Sequence, residues 1–269
     1  EIAGPRSGWT SSGYRSISRW KRSRFVEPSI LASTMPTRRP RATPEPGLET
    51  YRKKRSPDRT PEPFGGPVRP IGGPLGFVVH QHAAHNLHFD LRLELDGTLK
   101  SWAVPKGPSS HAEEKRLAVH VEDHPLEYGD FEGVIPAGNY GAGSVIIWDH
   151  GWYRSFKPED LMAQYQSGKL ELEMFGFKLR GRWTLVRMGG SGPQRKGNEW
   201  LLLKKVGAGV SEQELIERYP HSVVTGLTVH EMADLDGHVA AVRAHVEGLG
   251  APAGVVKPRE ETPMLSMLE

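Results

Sequence analysis

The 269 residues carry 35 Lys+Arg against 32 Asp+Glu, include no cysteine, and give 31 positions to Gly and 22 to Pro. Without thiols, disulfides and thiolate metal sites are excluded, so a bound metal would rest on His and carboxylate ligands. No apolar run approaches the ~20 residues that cross a bilayer as a helix, and no secretory leader is legible, so a soluble protein with no membrane partner is expected.

Charge is unevenly placed. Residues 1–60 hold 14 Lys+Arg and 5 Asp+Glu, and the remainder holds 21 and 27. A basic arm on a mildly acidic body suits a nucleic-acid partner, through phosphate neutralisation, and suits a solvated leader equally well. Residues 1–47 mix Ser, Arg and Pro without apolar periodicity and are expected to form a basic, disordered arm. Residues 48–206 are expected to form the folded body, and residues 207–269 a C-terminal helical segment and tail.

Residues 87–95 alternate strictly, which predicts a strand with Leu87, Phe89, Leu91, Leu93 and Leu95 toward a core and His88, Asp90, Arg92 and Glu94 on the other face. Asp96-Gly97 then predicts a tight hairpin, with residues 99–104 returning as the partner. Further strands are expected over 117–121, 144–148, 169–175, 177–186 and 199–204. Gly-rich turns separate them, including Gly138-Asn139-Tyr140-Gly141-Ala142-Gly143. Helices are expected near 158–167 and 228–247, the second broken if Gly237 interrupts it. The sum is a mainly β chain: an antiparallel β-barrel with one or two short helices and flexible termini.

His88 and Asp90 share a strand face, and His82 lies six residues upstream, able to fold back toward them. Two imidazoles and a carboxylate make a three-ligand site compatible with Mn²⁺ and with Zn²⁺. The run His80-Gln81-His82 leaves open which histidine ligates, and the same residues also fit a solvated strand face. Arg92 follows on that face, where its fork could hold a phosphate. His124, with Tyr128 four residues on, could bind an anion or give a proton to a leaving oxygen. Lys106 and Arg116 are further candidate phosphate contacts, although single charges are more often solvated.

In order and spacing these pieces resemble one family. Phe77-Val78-Val79-His80-Gln81-His82, Leu87-His88-Phe89-Asp90-Leu91-Arg92, Trp102-Ala103-Val104-Pro105-Lys106-Gly107-Pro108, Lys115-Arg116-Leu117-Ala118, Glu122-Asp123-His124-Pro125-Leu126-Glu127-Tyr128, Phe131-Glu132-Gly133 and Trp200-Leu201-Leu202-Leu203-Lys204-Lys205 resemble the 3′-phosphoesterase domain of bacterial DNA ligase D and its stand-alone relatives, over about residues 50–206. The resemblance implies a β-barrel with a manganese site in a cleft, Zn²⁺ or Co²⁺ being alternatives. It implies removal of a 3′-terminal ribonucleoside and then of the 3′-phosphate, leaving a 3′-OH that can be ligated in double-strand break repair by end joining. His82, His88 and Asp90 would be metal ligands, and Arg92, His124 and Tyr128 would contact the reacting phosphate. Arg55 and Glu62 match the family's upstream Arg-Asp-x5-Glu stretch, except that Ser56 stands where the family has Asp, with Asp58 two residues on. That departure removes an expected orienting acid for Arg55 and bears on the ribonucleoside-removing step. Implied partners are DNA 3′ ends and the ligase, polymerase and Ku of the end-joining system, in the cytoplasm at the nucleoid. A catalytically weak nucleic-acid-binding module that recruits those partners is the alternative function, and a structural-zinc β domain a third.

Overall fold

A computed structural model describes residues 47–65, 74–112, 114–157, 160–189, 197–211 and 214–248. The expected basic arm and C-terminal tail lie outside the described residues, apart from the end of the arm at Gly47.

Among the described residues nine strands form: β1 (Leu75–Ala83), β2 (Leu87–Leu95), β3 (Thr98–Val104), β4 (Lys115–His120), β5 (Gly133–Ile135), β6 (Gly143–Ser155), β7 (Lys169–Gly176), β8 (Arg180–Arg187) and β9 (Glu199–Lys204). Their order is β1-β2-β3-β4-β9-β8-β7-β6, and β6 pairs back onto β1. All pairings are antiparallel, so the sheet closes into an eight-stranded barrel and leaves no free edges. Strand β5 is an addition: it pairs with Gly143–Val145 of β6, while β7 pairs with the other end of β6.

The hairpin forms as the sequence expects. Asp96 (φ 53°) and Gly97 (φ 75°) both take left-handed conformations, which match the twist of the flanking strands. Leu95 then faces Thr98 and Arg92 faces Ser101. Among the described residues four α-helices form: α1 (Glu49–Lys53) before β1, α2 (Leu161–Ser167) between β6 and β7, and α3 (Leu215–Arg218) and α4 (Leu235–Gly248) after β9. None is long and apolar enough to cross a membrane.

Alternate residues of the strands fill the barrel. Phe77, Val79, Phe89, Leu91, Leu93, Trp102, Trp148, Trp183, Leu185 and Trp200 belong to one buried cluster. Leu185 is fully buried on β8, which is not paired with any strand of the hairpin. Leu185→Ala is expected to cost about 2–5 kcal/mol through lost burial and the cavity left behind. A urea midpoint close to wild type would contradict this packing.

The outer face of β1, β2, β3 and β6 is covered as well. Tyr51 of α1, Leu99, Tyr128, Phe131, Ile135, Val145 and Ile147 form a second buried cluster. The polar face of β2 is therefore not wet, and Asp90 and Arg92 are buried. Leu87 departs from the expected pattern: at the strand's start it has no cover and is 44% exposed.

Two boundaries differ from expectation. The strand expected from Phe177 begins at Arg180, because Asp149 accepts the backbone N–H groups of Phe177, Lys178 and Leu179 at 2.9, 3.1 and 2.7 Å and folds them into a turn. The C-terminal helical stretch opens as a 3₁₀ turn at Glu231–Asp234, and α4 then runs through Gly237 unbroken. Strand β1 was not separately expected, and it supplies half of the candidate site.

Candidate functional site

Strands β1 and β2 pair so that three residue pairs stand side by side on the outer face: His82 with His88, His80 with Asp90, and Val78 with Arg92. Period-two geometry makes this a single row. Opposite β1, the register with β6 slips between Val79 and His80, which leaves Trp148 as an extra residue of β6 that packs into the barrel interior.

His82, His88 and Asp90 each offer one ligand atom, all within 4.8 Å of one another. Hydrogen bonds fix which ring nitrogens are free. His82 Nε2 lies 2.8 Å from the Gly141 carbonyl and donates to it, which leaves Nδ1 with the ring's lone pair. His88 Nδ1 lies 2.9 Å from the Asn86 carbonyl and donates to it, so Nε2 is the nitrogen turned toward Asp90. That nitrogen sits 3.6 Å from Asp90 Oδ1. Carbonyl acceptors behind imidazole ligands are the usual outer support of a metal centre, and the donor set fits a divalent cation.

The electrostatics agree with an ionised carboxylate. Burial alone would raise Asp90, but the Arg92 guanidinium and His88 hold it well below the usual carboxylate range. Burial lowers His82 below an ordinary histidine, with Asp90 opposing. Burial also works against charge on His88, yet the Asp90 carboxylate outweighs it and leaves the group raised.

Arg92 is held on three sides. Its Nη2 donates to Asp90 Oδ2 at 2.9 Å, its Nη1 to Ser101 Oγ at 2.9 Å, and its Nε to His80 Nδ1 at 3.2 Å. His80 is kept neutral by burial and by the Arg92 charge, which preserves the accepting nitrogen. Within His80-Gln81-His82, His82 stands beside His88 and Asp90, whereas His80 accepts from Arg92 Nε. Their even spacing along one strand was the signal.

A second layer closes over this row. His124 is buried, and its Nδ1 donates to the Glu122 carbonyl at 2.9 Å. Burial, together with the charges of Arg92 and Arg55, holds His124 well below its ordinary pKa, so the ring is neutral. The Tyr51 and Tyr128 rings flank it, each centroid 4.8 Å from the imidazole. The Arg92 guanidinium lies 4.7 Å from the Tyr128 ring centre. Burial raises the Tyr128 phenol well above its usual value, so it is a protonated donor.

The upstream segment joins here. Arg55 Nε donates to Glu62 Oε1 at 2.8 Å, and its Nη1 donates to Glu122 Oε1 at 3.3 Å. Its guanidinium lies 4.0 Å from the Tyr51 ring centre. Thr60 Oγ1 donates to the other Glu62 oxygen at 2.8 Å. Ser56 supplies no carboxylate, and Glu62 and Glu122 together grip the Arg55 guanidinium. Asp58 is exposed. Glu122 is a functional candidate that sequence reasoning quoted within a motif but did not single out, because its partner lies 67 residues away.

Two further expected phosphate contacts, Arg116 and Lys106, differ in their surroundings. Arg116 is gripped by Glu114 at 3.0 Å and Glu214 at 2.6 Å, so its charge is matched locally. Lys106 is exposed in the turn after β3.

Comparison with known proteins agrees with this geometry. Residues 80–187 match the family described as DNA Ligase D 3′-phosphoesterase domain. The chain is 50% identical over 158 residues to a protein of Pseudomonas aeruginosa named multifunctional non-homologous end joining protein LigD, covering 58% of this chain and 18% of that one. Its namesake from Mycolicibacterium smegmatis is 45% identical over 158 residues, covering 57% and 20%. The Mycobacterium tuberculosis protein named multifunctional non-homologous end joining DNA repair protein LigD is 44% identical over 143 residues, covering 53% and 18%. The matched region thus spans about a fifth of the length of these relatives. Residues 80–187 of this chain thus match the DNA ligase D 3′-phosphoesterase domain family, and the alignments with these relatives cover 53–58% of the chain.

Proposed function

We propose that the barrel is a metal-dependent phosphoesterase that processes DNA 3′ ends, removing a 3′-phosphate and, before it, a 3′-terminal ribonucleoside. The observation that carries this reading is the row His82, His88, Asp90 and Arg92: a cation site and a three-point-held guanidinium on one strand face. The relatives' names place them in non-homologous end joining. The same setting is proposed here, with DNA ends as substrate and ligase, polymerase and Ku as partners.

His82, His88 and Asp90 would hold the cation, Mn²⁺ in our proposal, with Zn²⁺ and Co²⁺ compatible with the donors. When bound, it would supply positive charge opposite a phosphoryl oxygen. Arg92 keeps its three protein contacts and retains two of the five N–H groups of a guanidinium for nonbridging phosphate oxygens. His124 enters neutral with Nδ1 committed to a carbonyl, so its Nε2 lone pair can take a proton from attacking water. Protonated in that way, it can return the proton to the leaving oxygen. Tyr128 holds a phenolic proton that can steady a phosphoryl oxygen.

Arg55, gripped by Glu62 and Glu122, would contact the nucleoside side of the scissile bond. Glu122→Gln should then lower ribonucleoside removal by roughly 10-fold or more, as for outer partners of a reacting site, and leave phosphate removal nearly intact. Ser56→Asp should change neither step, because two acids already hold Arg55. A large gain in ribonucleoside removal from Ser56→Asp would overturn that role for Glu122.

The reading is tested with a primer–template ending in one 3′-ribonucleotide, incubated with Mn²⁺. Products are separated by their terminal chemistry. A 3′-phosphate intermediate followed by a 3′-OH end is expected. An unchanged primer would reject it.

A further inference from the structure

We propose that Tyr140 is a stacking platform for the base of the nucleotide at the DNA 3′ end. This rests on the reading of the neighbouring site as a 3′-end phosphoesterase. Tyr140 lies in the turn between β5 and β6 and is 52% exposed.

Its position relative to the metal-ligand group is fixed by its neighbour. The Gly141 carbonyl accepts the His82 Nε2 hydrogen bond at 2.8 Å, and a Cβ on Gly141 would stand 3.4 Å from the His82 ring. Tyr140 directly precedes Gly141, and its ring lies 5.3 Å from the guanidinium of Arg55, whose Glu122 partner also gives a backbone carbonyl to His124, so it borders the site.

The turn is held against the upstream segment. Asn139 Nδ2 donates to the Arg59 carbonyl at 2.8 Å, and Gly138 takes a left-handed φ of 83°. Cations fix the ring itself. Lys54 Nζ donates to the Tyr140 hydroxyl at 3.2 Å and lies 4.4 Å from the ring centre, and the Arg55 guanidinium lies 5.3 Å from it. A cation beside an aromatic ring polarises it and restrains its rotamers. What remains is a preorganised, half-exposed ring with Lys54 and the exposed Arg59 on the same short segment. Aromatic rings interleaved with cations take nucleic-acid strands without sequence preference, the base on the ring and the phosphates on the cations.

The occupant is therefore a nucleobase, and selectivity among the four bases is expected to be weak. The test uses a primer–template carrying the fluorescent base 2-aminopurine either at its 3′-phosphorylated terminal nucleotide or ten positions inward. Binding is followed by fluorescence with chelator present, so that no turnover occurs. Wild type should quench the terminal probe and leave the internal one bright. Tyr140→Leu should abolish the quench and weaken binding roughly five- to twenty-fold, while Tyr140→Phe, which keeps the ring and drops the hydroxyl, should stay near wild type. Equal loss in the Phe and Leu variants would overturn stacking in favour of a role for the hydroxyl. A wild type that removes the 3′-phosphate when metal is added but quenches neither probe would overturn the platform while leaving the phosphoesterase reading intact. Terminal quenching without phosphate release under any divalent metal would support the platform and reject that reading.

Discussion

Asp90→Asn is expected to abolish Mn²⁺ binding and reduce 3′-phosphate release by more than the roughly 10- to 100-fold typical of losing an outer partner of a metal site. Asp90 is the anionic member of the ligand group, so removing its charge also removes the main compensation for bringing a divalent cation to a buried place. Asn is the informative replacement. It keeps an oxygen for the Arg92 Nη2 hydrogen bond, whereas Ala would strand a buried guanidinium at a cost of about 3–5 kcal/mol and confuse lost function with lost fold. Titration calorimetry with Mn²⁺ and thermal unfolding separate the two effects. Full metal stoichiometry in the Asn variant would remove Asp90 from the ligand group.

Arg92→Lys is expected to leave metal binding in place and lower kcat for phosphate release by roughly 10²- to 10³-fold, the loss typical of one preorganised donor to a transition state. Lysine keeps the charge but is a single point donor. It cannot reach Asp90, Ser101 and His80 at once while still presenting two parallel N–H groups to phosphate. Retained kcat with raised KM would show instead that Arg92 contributes ground-state attraction alone.

Much of this was legible in the sequence where chemistry is local. The alternation of residues 87–95 and the Asp96-Gly97 turn specify the β2–β3 hairpin and put His88, Asp90 and Arg92 on one face. Strand β1 was harder because Phe77 to His82 are all buried, with apolar and polar residues on the outer face alike, so no two-residue contrast marks it. The same covering layer made the polar face of β2 a buried site instead of a wet one. Tyr51, His124 and Tyr128 come over it from α1 and the loop after β4, and no strand periodicity encodes that docking. The grip of Glu122 on Arg55, and the placement of Tyr140 beside Lys54, join residues 67 and 86 positions apart. Such pairings are products of tertiary closure, which a local reading does not reach.

The row on β1 and β2 is proposed to perform metal-assisted removal of phosphate from a DNA 3′ end. The most direct measurement is inorganic phosphate release from a 3′-phosphorylated primer–template by chelator-stripped protein, before and after Mn²⁺ is restored. We expect no release from the stripped protein, release once Mn²⁺ is added, and none from the Asp90→Asn variant under either condition. Equal release with and without metal, or undiminished release by Asp90→Asn, would contradict the account.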